Sequence, residues 1–245
     1  MNGFVKYLSS KILYKESFMK LSAITNAMQF ASDYHNAIAS FAKRPLTEEV
    51  DYPSENSIDR ALRALSKLSQ DYNIPIAIIG GAATIHHGYK RFTKDIDLVI
   101  STKDYANLVR VIHEYGFIML KHSNYMFEML FPDEQGAQYD LPSGKAVRGV
   151  FLEVMKAGMN DTTEPYQMGV SKGVGFADLN SYIAMKLKAG RIQDQADIVH
   201  VLMAQNDKIQ QVTDYIEWEY PELADDLQRL IRQIEKESRN PRTGY

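Results

Sequence analysis

The sequence predicts an α+β (α/β) fold, a small mixed β-sheet flanked by helices and followed by a C-terminal helical subdomain. Three observations carry this. Short apolar runs of strand length stand at Ile76-Ala77-Ile78-Ile79 and from Asp95 to Ile100, stripes at helical spacing precede and follow them, and beyond Gly175 the pattern is helical only. At 245 residues the chain can bury a substantial core without a disulfide or metal staple. Composition divides it into residues 1–57, an N-terminal helical extension and linker, residues 58–160, which hold the sheet, and residues 161–245, the helical subdomain.

Residues 1–45 contain helix-compatible runs such as Phe18, Leu21, Ile24, Ala27 and Met28, and the polar stretch with Pro45 and Pro53 reads as a joint. From Ile58, apolar residues at Ala61, Leu62, Leu65, Leu68 and Tyr72 mark one face of an amphipathic helix ending near Asn73-Ile74-Pro75. Ile76 to Ile79 is continuously apolar, as in a strand covered on both faces. Gly80-Gly81 permits a tight turn into a helix over Ala82 to His87, which Gly88 ends. Along Asp95 to Ile100 side chains alternate, so Asp95 and Asp97 face one side and Ile96 and Leu98 the other. Thr102 to Tyr115 reads as a helix stopped by Gly116. Phe117–Leu120, Tyr125–Phe131 and Val147–Met155 read as strands separated by turn-forming runs, among them Pro132-Asp133-Glu134-Gln135-Gly136. Helical segments at Tyr182–Leu187, Ile198–Leu202, Ile209–Ile216 and Leu223–Ile234 precede a frayed tail from Arg239.

With no cysteine, thiolate catalysis, Cys-ligated zinc and disulfides are excluded, while hard-ligand metals stay open. The 28 basic and 31 acidic residues leave a net charge of −3, so no global field marks an obligate nucleic-acid binder, although a local basic cleft is compatible with it. Lys6, Lys11, Lys15 and Lys20 interrupt any apolar run of signal-peptide or membrane-span length, and the expectation is a cytoplasmic chain with no membrane partner.

Two carboxylates on one strand face repel unless a cation stands between them, and Mg²⁺ or Mn²⁺ suits hard oxygen ligands that also meet phosphates. By itself Asp-x-Asp more often describes a solvated strand end. Its company matters: backbone N–H groups at a glycine turn leading into a helix can cradle a phosphate chain opposite the metal. A dinucleotide fold is a poor alternative, because Ala82 follows Gly81 and the G-x-G-x-x-G fingerprint is absent.

Ile79-Gly80-Gly81, thirteen intervening residues, then Asp95-Ile96-Asp97-Leu98 resembles the signature of the nucleotidyltransferase superfamily, the DNA-polymerase-β-like fold. Arg91-Phe92-Thr93-Lys94 before the acids, and the run from Ala184 to Ile198, resemble in particular the bacterial abortive-infection AbiE-type toxin nucleotidyltransferases. The resemblance covers roughly residues 74–203 and implies that residues 58–160 are the catalytic domain. It implies a nucleoside triphosphate substrate, Mg²⁺ or Mn²⁺ on Asp95 and Asp97, and a third carboxylate on a later strand. Glu153, the one acid in the middle of Gly149 to Met155, is the candidate, in a position where the family more often has Asp. Gly80 and Gly81 would meet the phosphates, Lys186 would reach the triphosphate, and the acids after Arg191, Asp194 and Asp197, would organise the pocket.

Lys186 could meet Asp194 only if the chain stays helical or folds back at Gly190, and Lys188 and Asp197 fit helix-surface ion pairing equally well. Arg91 and Lys90 either contact phosphate or stand exposed, and Thr93 bonds the turn or a substrate hydroxyl. His86 and His87 are adjacent on a helix and point apart, so one packs while the other is solvated or meets substrate. Tyr89 packs in a core or stacks a base. The implied acceptor is a hydroxyl of tRNA or another RNA, a small aminoglycoside-like molecule, or a protein, with an antitoxin as a further partner of a toxin; the non-enzymatic alternative is a nucleotide-binding module with a degenerate site.

Overall fold

The computed structural model describes residues 32–39, 41, 56–93, 95–141, 144–160 and 162–239. The helix-compatible run at 18–28, the joint at 44–55 and the tail beyond Arg239 lie outside them. The elements are α1 (residues 32–39), α2 (Ser57–Tyr72), β1 (Ile76–Ile78), α3 (Gly80–His86), β2 (Asp95–Ile100), α4 (Tyr105–Val111), β3 (Ile118–His122), β4 (Met126–Asp140), β5 (Ala146–Lys156), β6 (Val174–Phe176), α5 (Leu179–Ala189), α6 (Ile192–Ala204), α7 (Ile209–Glu219) and α8 (Ala224–Arg239).

The six strands form one mixed sheet in the order β3-β4-β5-β2-β1-β6. β2 runs parallel to β5 and antiparallel to β1, and β1 runs parallel to β6. Alternation along the strands sorts their side chains. Ile76, Ile78, Ile96, Leu98, Leu152, Val154, Phe127 and Met129 point to one face, where Tyr34, Ile38, Leu62, Leu65 and Leu108 from α1, α2 and α4 cover them. Each such side chain contributes about 1.5–3 kcal/mol on burial. The opposite face is divided: Ala77, Ile79, Val99 and Met155 pack with Met168, Val170 and Ala177, and the acids occupy the remainder. Helices α5 to α8 build their own core around Tyr182, Ile198, Leu202, Ile216 and Leu230. The short α3 belongs to both bodies, since Ala82 and Ile85 lie in the sheet core and Ala83 in the helical one.

Several elements follow the sequence closely. Asn56 caps α2 by accepting from the amides of Ile58 and Asp59, and Asn73 ends it in a left-handed conformation. Others differ. The helix expected over Thr102–Tyr115 is α-helical only over Tyr105–Val111 and tightens into a 3₁₀ turn at Ile112–Tyr115. The turn expected at Pro132–Gly136 is a bulge inside β4: Pro132 and Ala137 both oppose Gly149, and the strand continues to Asp140. A Cβ on either Gly136 or Gly149 would collide with backbone across that bulge, so a sequence rich in turn formers is absorbed by close backbone approach. The three-residue β6 has too short an alternation to be read in advance, and it is paired through its backbone to β1.

Candidate active site

β2 and β5 pair in register so that Asp97 lies beside Glu153, with Asp95 two residues earlier on the same face and beside Phe151. β4 adds Glu128 directly opposite Glu153, and its carboxylate pairs with Lys121 Nζ at 3.4 Å. The row across the sheet is therefore Lys121, Glu128, Glu153, Asp97. Burial, then Asp95 and Glu153, push the Asp97 carboxyl up to about 6. Burial, then Glu128 and Asp95, push Glu153 up as well. Neighbouring carboxylates thus add to burial in raising the proton affinity of Asp97 and Glu153, which is the condition a hard divalent cation relieves, and an all-oxygen donor set fits Mg²⁺ or Mn²⁺. Among the described residues no three acidic or histidine side chains converge into a ready-made ion cage.

Behind Asp97 the chain turns. The Ile79 amide donates to the Asp97 carbonyl at 2.9 Å, and α3 begins at once with Gly80 at φ +58°. A Cβ on Gly80 would land in the Asp97 carboxylate, and one on Gly81 would stand 2.6 Å from Thr93 Oγ1. Both glycines are required by close approach, and the Gly81 amide donates to the Asp97 carboxylate. Thr93 is buried and donates to the Asp95 carboxylate at 3.1 Å, so it orients the first acid.

The C-terminal helices reach the same place. α5 ends at Gly190 and the chain folds back into α6, the second of the two ways in which Lys186 could meet Asp194. Lys186 Nζ donates to Asp194 at 2.7 Å and Asp197 at 2.8 Å. Arg191 holds Asp194 at 2.6 Å, while Arg91 reaches across from the loop before β2 to Asp197 at 3.1 Å. Burial alone would raise the Asp194 carboxyl, but the bonds from Arg191 and Lys186 outweigh it and hold it below the usual range. Asp194 and Asp197 are fully buried, so Asp197 belongs to this cluster and not to a helix-surface pair. Lys186 and Arg191 both act electrostatically on Asp97, which ties the cluster to the acidic row.

His87 packs: it is buried, bonded to the Ala177 carbonyl at 2.9 Å, and burial first and His86 second push its imidazole down to about 4. His86 is exposed and stacks on Phe176 with ring centroids 4.2 Å apart. Tyr89 stacks on His200, also at 4.2 Å. Lys90 is exposed. Two features escaped sequence reasoning. Glu128 lies in a strand whose partner register was unknown, and Tyr34 sits in a region with no recognisable catalytic pattern. Tyr34 donates to the Asp95 carbonyl at 2.7 Å, and burial, then Asp97 and Asp95, push its phenol well above the usual range.

No protein-family model matches the chain, and no curated protein matches it. Among solved structures it is similar to an antigenic nucleotidyltransferase-like protein from Paracoccidioides brasiliensis, 20% identical, with 70% of this chain and 94% of that one covered at a TM-score of 0.39. It is similar to ANT(2")-Ia in complex with adenylyl-2"-tobramycin, 13% identical, covering 62% and 93% at a TM-score of 0.41. It is also similar to JHP933 from Helicobacter pylori, 16% identical, covering 76% and 96% at 0.39. At such scores the chemistry of the cleft has to be read from its own residues.

Proposed function

We propose that the chain is a metal-dependent nucleotidyltransferase that moves a nucleoside monophosphate from a triphosphate to an acceptor hydroxyl. One observation carries the reading: Asp95, Asp97 and Glu153 share a face of two paired strands, and a glycine turn that tolerates no Cβ lies directly behind Asp97. Asp95 and Asp97, with Glu153 alongside, would hold Mg²⁺ or Mn²⁺, which when bound neutralises developing phosphate charge. Thr93 keeps the Asp95 carboxylate turned into the cleft. Glu153, beside Asp97 on the paired strand, takes the proton of the acceptor hydroxyl. The new oxygen–phosphorus bond forms at the α-phosphorus, the α–β anhydride bond breaks, and pyrophosphate leaves toward Gly80, Gly81 and the Arg91–Lys186–Arg191 cations. Asp194 and Asp197 hold those cations in position.

The resemblance of Arg91–Asp97 and Ala184–Ile198 to AbiE-type toxins supports an RNA acceptor, tRNA in particular, and a neutralising antitoxin as partner. The test is incubation with each α-labelled nucleoside triphosphate and, in turn, total tRNA, cellular proteins and aminoglycosides, with Asp95→Ala and Asp97→Ala alongside. Label is expected in RNA from the wild type and from neither variant. Label in a small molecule or a protein replaces the acceptor but keeps the reaction, metal-dependent nucleotide binding without transfer to any acceptor supports a binding module, and full transfer by either variant sinks the mechanism.

A further inference from the structure

Alternate carbonyls of a strand point the same way, so those of Asp97 and Asp95 both face β1. The Asp97 carbonyl receives the Ile79 amide there. One step further β1 is gone, because the chain has turned at Gly80 into α3, and no amide of that strand is left for Asp95. The Tyr34 hydroxyl takes that position, donating at 2.7 Å from a ring that is 1% exposed, with Thr93 Oγ1 more distant at 3.4 Å. The next residue of α1 does the same for the loop: His35 Nε2 donates to the Arg91 carbonyl at 3.0 Å. α1 is itself anchored, by Ala37 and Ile38 in the sheet core and by Asn56 Nδ2 donating to the Asp33 carbonyl at 3.0 Å.

We infer that Tyr34 and His35 are positioning residues of the catalytic site: α1 clamps the carbonyls of Arg91 and Asp95 and thereby fixes the direction in which the Asp95 carboxylate is presented. A strand end with one neighbour missing would otherwise fray, and here the frayed residue would be the first acid. The consequence for turnover rests on the nucleotidyl-transfer reading; the clamp itself does not.

The test uses the full chain with Tyr34→Phe, which keeps the ring and removes the donor, together with His35→Ala and His35→Gln. In Tyr34→Phe, hydrogen exchange at the Asp95–Leu98 amides accelerates about tenfold while α5 to α8 keep their protection, and Mn²⁺ measured by paramagnetic resonance binds about fivefold more weakly. kcat falls about tenfold, with KM for the triphosphate changed less than about twofold. His35→Ala moves in the same direction, and His35→Gln, which retains a donor, recovers most of the loss. Unchanged exchange overturns the clamp, as does a Tyr34→Phe protein that loses its fold, since the bond would then belong to the core. Faster exchange with unchanged Mn²⁺ affinity and kcat overturns the positioning role. If the wild type transfers to no acceptor, nucleotidyl transfer fails, and exchange with Mn²⁺ binding still decides the clamp.

Discussion

Asp97 lies between Asp95, two residues behind it, and Glu153 across the ladder, and its carboxyl stands at about 6 against an ordinary 3.8. The folded protein therefore holds that proton more tightly than the unfolded chain. Stability falls as pH rises from about 4 to about 6, and a cost of about 1–3 kcal/mol is fully present above that window. His87, held down to about 4, acts in the opposite sense, because its contribution is lost as pH falls below the ordinary 6.5. A variant difference isolates the acid. In chelator, Asp97→Asn is expected to melt at the same temperature as the wild type near pH 4 and several degrees higher above pH 6, by about 2–4 °C per kcal/mol. Melting curves across pH check this, and a constant offset would refute it.

At the scale of elements, the β1–α3 turn and the α5–α6 hairpin converge on Asp97 from two sides. Gly80→Ala puts a side chain at φ +58° and into the Asp97 carboxylate. It is expected to cost about 1–3 kcal/mol in urea unfolding and to abolish transfer. Lys186→Met leaves Asp194 and Asp197 buried with, among the described residues, the side chains of Arg191, Arg91 and Gln193 as donors. Unfolding should fall by about 2–4 kcal/mol, far more than an exposed pair would cost. A loss below about 0.5 kcal/mol would mean that the cluster is solvated.

The whole molecule joins a sheet core and a helical core through α3, with the candidate site where they meet, and among the described residues no helix is long and apolar enough to cross a membrane. A ligand bound between the two bodies stabilises both by mass action. Mg²⁺ with the preferred nucleoside triphosphate at a hundred times its Kd should add about 2.7 kcal/mol, or about 5 °C or more in Tm. Asp95→Asn should lose most of that shift, which thermal scanning reads directly.

The sequence determined the glycine turn, the two acids on one face of β2 and the single acid within β5, because each is a local matter of spacing, alternation and backbone freedom; it allowed the fold-back at Gly190 without requiring it. Tertiary structure decided which neighbours meet. Strand register alone brings Glu153 to Asp97 and adds Glu128, and no local pattern encodes register between strands separated by fifty residues. Burial likewise decided between the two readings of Asp197 and made it the shared partner of Lys186 and Arg91. Tyr34 was the least legible of all: its role depends on β1 ending one residue pair too soon, a vacancy in a hydrogen-bond ladder that exists only once the chain has folded.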